Sequence, residues 1–175
     1  MTEDEDYLDK SPSAAQMGKA AEYLVAASCI LATQGELNVS TAQVDNQGVD
    51  LVFHRQGSPV TLAVQVKSRM STTSVVQKGR YLADVRSQTF RARDDLDMLF
   101  VAVDVERRAI MTAWLIPSGV FGEMVSEPNG KGKYRFAASL KPDSKDRWSP
   151  YRLTGPELAQ RILARLSEVE KAAPR

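Results

Sequence analysis

The sequence predicts an α/β domain in which a mixed central sheet is flanked by helices. Three observations carry this reading. An alanine-rich run over residues 11–35, "SPSAAQMGKAAEYLVAASCILATQG", opens on Ser-Pro and closes on Gly35, where a helix would start and stop. Six short runs then follow that are strongly apolar or alternate with a period of two, as strands do. The chain closes on "TGPELAQRILARLSEVEKAA", with Thr154 and Glu157 in capping-box spacing and Pro156 in the first turn of a second long helix.

Taken in order, "MTEDEDYLDK" carries five acidic residues and one lysine with little to bury, so residues 1–12 read as an acidic mobile tail ahead of a single domain over 13–175. On the first helix Met17, Ala20, Ala21, Leu24, Ala27 and Leu31 recur at three- and four-residue spacing and are expected to be its buried stripe. "LNVSTAQV", "GVDLVF" and "VTLAVQVK" read as three strands, with "HRQGSP" turning between the last two, so the helix leads into a three-stranded meander. "DMLFVAVDV" and "AIMTAWLIPS" are two more strands and "KYRFAASL" a further one, with a helical turn in "SGVFGEMV". On the closing helix Leu158, Ile162, Leu166 and Val169 make the buried line.

Bulk properties narrow the classes. At 175 residues, 43% hydrophobic and 26% charged, the chain suits one globular core. Its 23 basic and 22 acidic residues nearly cancel, so any attraction to nucleic acid must be local. A lone cysteine, Cys29, and the lack of a charged-then-apolar leader imply a cytoplasmic, reducing setting, and no apolar run is long enough for a membrane span.

The polar residues inside the meander point to chemistry. In "LAVQVKSR" the residues Val60, Leu62, Val64 and Val66 share one face, while Thr61, Ala63, Gln65 and Lys67 share the other, which must look into something polar. Asp50 begins the preceding strand, and antiparallel pairing brings it to the same end of the hairpin as Gln65 and Lys67. On the first helix Gly18 and Glu22 are four apart and share a face beside the apolar stripe, so Glu22 can lean over the sheet edge.

A helix with "GKAAE", a strand with "GVD" and a strand with "QVK", in that order, resembles the restriction-endonuclease-like PD-(D/E)xK nuclease superfamily, in its D…QxK variant. The resemblance implies a core of helix, three-stranded meander, crossover helix and strand over about 13–104, leaving 105–175 as a C-terminal extension. It implies a metal-dependent endonuclease using Mg²⁺ or Mn²⁺, with Asp50, Gln65 and Glu22 as metal ligands and Lys67 as the catalytic lysine. Val49 stands where the proline of the motif name would be. Residues 74–93 keep neither period and should contain the crossover helix.

The chemistry is consistent with those roles. Phosphodiester hydrolysis needs charge stabilisation and an activated water, which a carboxylate-bound divalent cation supplies. Gln65 offers only a neutral amide oxygen, so the site should hold metal more weakly than one with a third acid. Ser68 and Arg69 are phosphate donors by type. Lys67, Arg69, Lys78, Arg80, Arg86, Arg91 and Arg93 face one acid, Asp84, over that stretch, with Tyr81 and Phe90 interleaved, and the six after Lys67 are the expected DNA contacts. The partner is then DNA, and the protein is a candidate homodimer.

Each residue also has a plainer reading. Glu22 can be a solvated or ion-paired helix acid, Gln65 a buried hydrogen-bonding residue, Lys67 a salt-bridge partner and the basic run a solvated face. Together these describe the alternative, a catalytically silent nuclease fold that binds nucleic acid or a protein. His54 before the turn reads as a surface residue, Cys29 as core, and Trp114 and Trp148 as packing residues.

Overall fold

The structure, a computed structural model, describes residues 12–41, 48–125 and 127–174. The acidic tail, but for Pro12, and the end of the first expected strand lie outside the described residues.

Helix α1 (Pro12–Ala32) stops where expected: Gln34 and Gly35 take φ of 50° and 83°, and the Gly35 N–H donates to the Ile30 carbonyl. The meander follows as β1 (Leu37–Thr41), β2 (Leu51–Arg55) and β3 (Thr61–Met70). After it come α2 (Ser74–Gln77), β4 (Arg80–Arg86), β5 (Leu96–Asp104), β6 (Ala109–Pro117), α3 (Ser118–Met124) and β7 (Lys133–Ser139). A 3₁₀ turn (Ser149–Tyr151), β8 (Arg152–Leu153) and α4 (Gly155–Ala172) complete the order, and Thr154 and Glu157 form the capping box that their spacing announced.

The central sheet runs β1-β2-β3-β5-β6-β8 and is mixed, because β3 pairs antiparallel with β2 and parallel with β5. β4 and β7 form a separate two-stranded antiparallel sheet. Two cores result. On one face Leu51, Phe53, Leu62 and Val64 meet Ala21, Val25 and Cys29 of α1 and Leu158, Ile162 and Leu166 of α4. On the other Met98, Phe100, Trp114 and Ile116 meet Tyr81, Phe121, Phe136 and Trp148, and the Phe100 and Phe136 rings stack at 3.8 Å. Both tryptophans are packing residues. No helix among the described residues is long and apolar enough to cross a membrane.

Two expectations change. The α1 stripe is Ala21, Val25 and Cys29, with Leu24 at its border, whereas Leu31 is 77% exposed and Met17, Ala20 and Ala27 also face outward. An alanine-rich helix has small apolar residues all round, so periodicity leaves its rotation undetermined. The crossover between β3 and β5 holds helix only in the single turn α2; it also carries strand β4, in which Tyr81, Ala83 and Val85 are buried and alternate with outward residues. The region beyond residue 104 is no appendage, since β6 and β8 widen the sheet and α4 covers one face.

One buried ion pair ties α4 to that sheet. Asp97 is fully buried on β5, and its two carboxylate oxygens accept from Arg165 Nε and Nη2 at 2.9 and 2.8 Å. Arg165 also reaches the Asp94 carbonyl and the Glu168 carboxylate. Burial works against the Asp97 carboxylate, and its hydrogen bonds to Arg165 raise the arginine above its ordinary pKa and hold it charged. Arg165→Met strands a buried charge and is expected to cost about 3–5 kcal/mol in urea unfolding, with most of the loss recovered in Asp97→Leu/Arg165→Met.

Candidate active site

The site begins at a glycine. Gly48 has φ of 68°, a backbone that favours glycine, and a Cβ placed there would lie 2.8 Å from Gln65 Nε2, the movable end of a half-buried side chain. Two residues on, the Asp50 N–H donates to the Val64 carbonyl at 3.0 Å and the Val66 N–H donates to Asp50 Oδ2 at 2.6 Å. The carboxylate therefore bridges from β2 to β3 where the regular ladder stops.

Register does the rest. Leu51 opposes Val64, which sets Asp50 opposite Gln65 and leaves Lys67 as the next residue on that face. Leu62, Val64 and Val66 are buried under the helices, while Gln65, Lys67 and Arg69 are half-buried on the other side. The Lys67 carbonyl accepts a 2.5 Å hydrogen bond from the buried Tyr81 hydroxyl. Burial raises that phenol well above its ordinary pKa, so it remains a donor. Consecutive residues of β3, Val66 and Lys67, are thus held by side chains from two different elements.

Glu22 enters from α1 with its side chain 13% exposed, paired with Lys19 Nζ at 2.5 Å. Hydrogen bonding to Glu22 raises the Lys19 pKa, and the charge of Asp50 adds to that rise. The helix acid and the hairpin aspartate therefore act on the same lysine. Lys19 is a residue of the candidate site that the sequence reading missed, and its signal was the three-residue spacing to Glu22 inside "GKAAE". Among the described residues no three His, Cys, Asp or Glu side chains gather as a metal site, and the expected donor set has two acids and one amide. Hard oxygen donors of that kind suit Mg²⁺ or Mn²⁺.

The basic residues divide. Lys78, Arg80, Arg86 and Arg91 are exposed, and Arg91 Nη1 donates to the Phe90 and Ser87 carbonyls. Arg69 is half-buried, donates to the Ser68 carbonyl, and its charge reaches Asp84 and Tyr81. Arg93 is held by both oxygens of Asp95 at 2.8 and 2.9 Å, an acid just beyond the run as first counted. Tyr81 and Phe90 belong to the aromatic core, packed against Phe100 and Phe121 respectively. His54 is half-buried beside a surface cleft with Asn38 and Gln56.

No protein-family model matches the chain, and no curated protein matches it. The fold is similar to the solved structure of a bacterial homing endonuclease, I-Ssp6803I, at 22% identity and a TM-score of 0.57, over 93% of this chain and 99% of that one. The likeness is one of fold, and its extent takes in the region beyond residue 104.

Gly48→Ala should destabilise the protein by about 1–3 kcal/mol, through a left-handed backbone and the contact with Gln65. Gly48→Ala/Gln65→Ala should recover the steric share and leave about 1 kcal/mol from the backbone alone. Urea midpoints of the two variants measure the division.

Proposed function

We propose that the protein is a metal-dependent DNA endonuclease of the PD-(D/E)xK type. The observation that carries the reading is the hairpin end where Asp50 opposes Gln65 and Lys67 follows on the same face, with Asp50 Oδ2 pinned by the Val66 N–H. A fold similar to that of a homing endonuclease supports it.

In this reading Asp50 and Glu22 supply carboxylate oxygens and Gln65 its amide oxygen to Mg²⁺ or Mn²⁺. When bound, that cation neutralises charge on the phosphoryl oxygens and lowers the pKa of a water. The pin from Val66 orients the Asp50 carboxylate before anything binds, so less ordering is required on association. Lys67 places its ammonium beside the scissile phosphate, where it orients the attacking water or stabilises the charge that develops. Glu22 must part from Lys19 to act as a ligand, and the exchange costs little because the Lys19 side chain is 47% exposed. We read the active species as a cytoplasmic protein that works as a homodimer when both strands are cut.

The Lys19–Glu22 pair is also the observation that favours the silent alternative, in which lysine permanently fills the place of the cation. Lys19→Ala separates the two readings. Under the nuclease reading it frees Glu22, so the melting temperature responds to Mg²⁺ at a lower concentration than in wild type, and Gln65→Glu shifts the response the same way. Flat responses from wild type and both variants would leave the silent fold as the answer.

Asp50→Ala and Lys67→Ala should each lower Mg²⁺-dependent DNA cleavage by about a hundredfold or more, roughly 3 kcal/mol. Asp50→Asn serves as the folding control, because its amide oxygen can still accept from Val66. A wild-type protein that cuts no linear, nicked, branched or single-stranded substrate with Mg²⁺ or Mn²⁺ overturns the catalytic reading.

A further inference from the structure

The β4–β7 sheet has an inner face made for packing and an outer face that is not. Tyr81, Ala83, Val85, Phe136 and Ala138 point inward and are buried in the aromatic core. The alternate positions point away. Those with charge are Arg80, Asp84 and Arg86 on β4 and Lys133 and Arg135 on β7, four cations around one carboxylate. Arg86 stands directly opposite Lys133 across the ribbon. A surface that concentrates cations in this way has a polyanion as its complement.

Its shape specifies which one. A two-stranded antiparallel ribbon fits the major groove of B-form DNA, about 12 Å wide, whereas the A-form groove of double-stranded RNA is too deep and narrow. The ribbon is also held in one piece with the candidate active site. The Tyr81 hydroxyl ties β4 to the Lys67 carbonyl, and the charges of Arg69, Lys133 and Arg135 all hold the Asp84 carboxyl below its ordinary pKa. Lys67 is thus tied to β4 through its carbonyl, and the charge of Arg69 reaches the ribbon at Asp84.

On the ribbon Arg135 is gripped by both oxygens of Asp84, at 2.9 and 3.1 Å. The grip orders the guanidinium through Nε and Nη2, and arginine is the side chain most often found on the O6 and N7 acceptors of guanine.

We propose that the outer face of the β4–β7 ribbon is the surface that docks duplex DNA, lying in the major groove with Arg135 reading base edges and Arg86 and Lys133 on phosphates. This rests on the reading of the protein as a DNA endonuclease and moves the contact surface away from Arg91 and Arg93 onto residues of β7.

The test is fluorescence anisotropy with labelled duplex DNA and the full chain in EDTA, so that binding is read without cleavage. Arg86→Ala/Lys133→Ala should reduce the slope of log affinity against log salt by about two. Arg135→Lys keeps the charge, so it should preserve the slope while losing about tenfold in preference among duplex sequences. Arg161→Ala, on the helix covering the opposite face of the sheet, is the control and should change neither. Far-UV circular dichroism confirms folding, and Arg86→Lys/Lys133→Arg replaces the double alanine variant if that one does not fold, with the slope then expected to stay at its wild-type value.

An unchanged slope in the folded alanine variant, a slope lost in the charge-keeping variant, equal affinity for double-stranded RNA, or no duplex binding by wild type each overturns the proposal. Mg²⁺-dependent cleavage by the same proteins reports on the nuclease reading separately. Cleavage that persists while the ribbon variants bind normally would dismiss the ribbon and leave the active site standing.

Discussion

The hydrogen bond from the Val66 N–H to the Asp50 carboxylate is the contact on which the rest of the site depends. β2 begins at Leu51, so one residue further along there is no strand backbone to receive the next amide of β3. The Asp50 side chain takes that amide. One carboxylate thereby closes the ladder, aims itself at the neighbourhood of Gln65 and fixes the register that decides which face each residue of β3 occupies. A slip by one residue would put Val64 and Val66 where Gln65 and Lys67 stand, exchanging core for site along the whole strand.

Around this contact the protein divides labour between the faces of β3. One face carries Leu62, Val64 and Val66 and is closed by α1 and α4. The other has its polar half at the hairpin end and its aromatic half farther across the sheet, over β5 and β6. Tyr81 joins the halves, since its ring packs among Phe100, Trp114 and Phe136 while its hydroxyl holds the strand at Lys67. The position of the lysine backbone is therefore referred to a rigid aromatic cluster instead of a loop.

What could be read from the sequence was local. The alternation of "LAVQVK", the Asp50 just ahead of the preceding strand and the Thr154–Glu157 box all act over a few residues, and each was legible. The rotation of α1 was not, because alanine carries too little contrast between faces. In β4 the apolar Leu82 stands among the outward residues and blurs the alternation of Tyr81, Ala83 and Val85, so the stretch kept neither period and a crossover helix was expected there. The pairs Asp84–Arg135 and Asp97–Arg165 join residues 51 and 68 positions apart, and only the pairing of strands and the docking of α4 brings them together. The likeness of fold to a solved endonuclease structure over 93% of the chain runs past residue 104, where motif spacing had ended the expected core.

The packing of α1 and α4 against one face of the sheet bears on the order in which the protein can assemble. Leu51, Phe53, Leu62 and Val64 are translated early, and part of their cover, Leu158, Ile162 and Leu166, is translated more than ninety residues later. During synthesis the meander and β5 are therefore in place while part of their apolar face still lacks its cover. The core on this face is complete only once α4 has been made and Arg165 can reach Asp97, so the last helix closes what the first hundred residues begin.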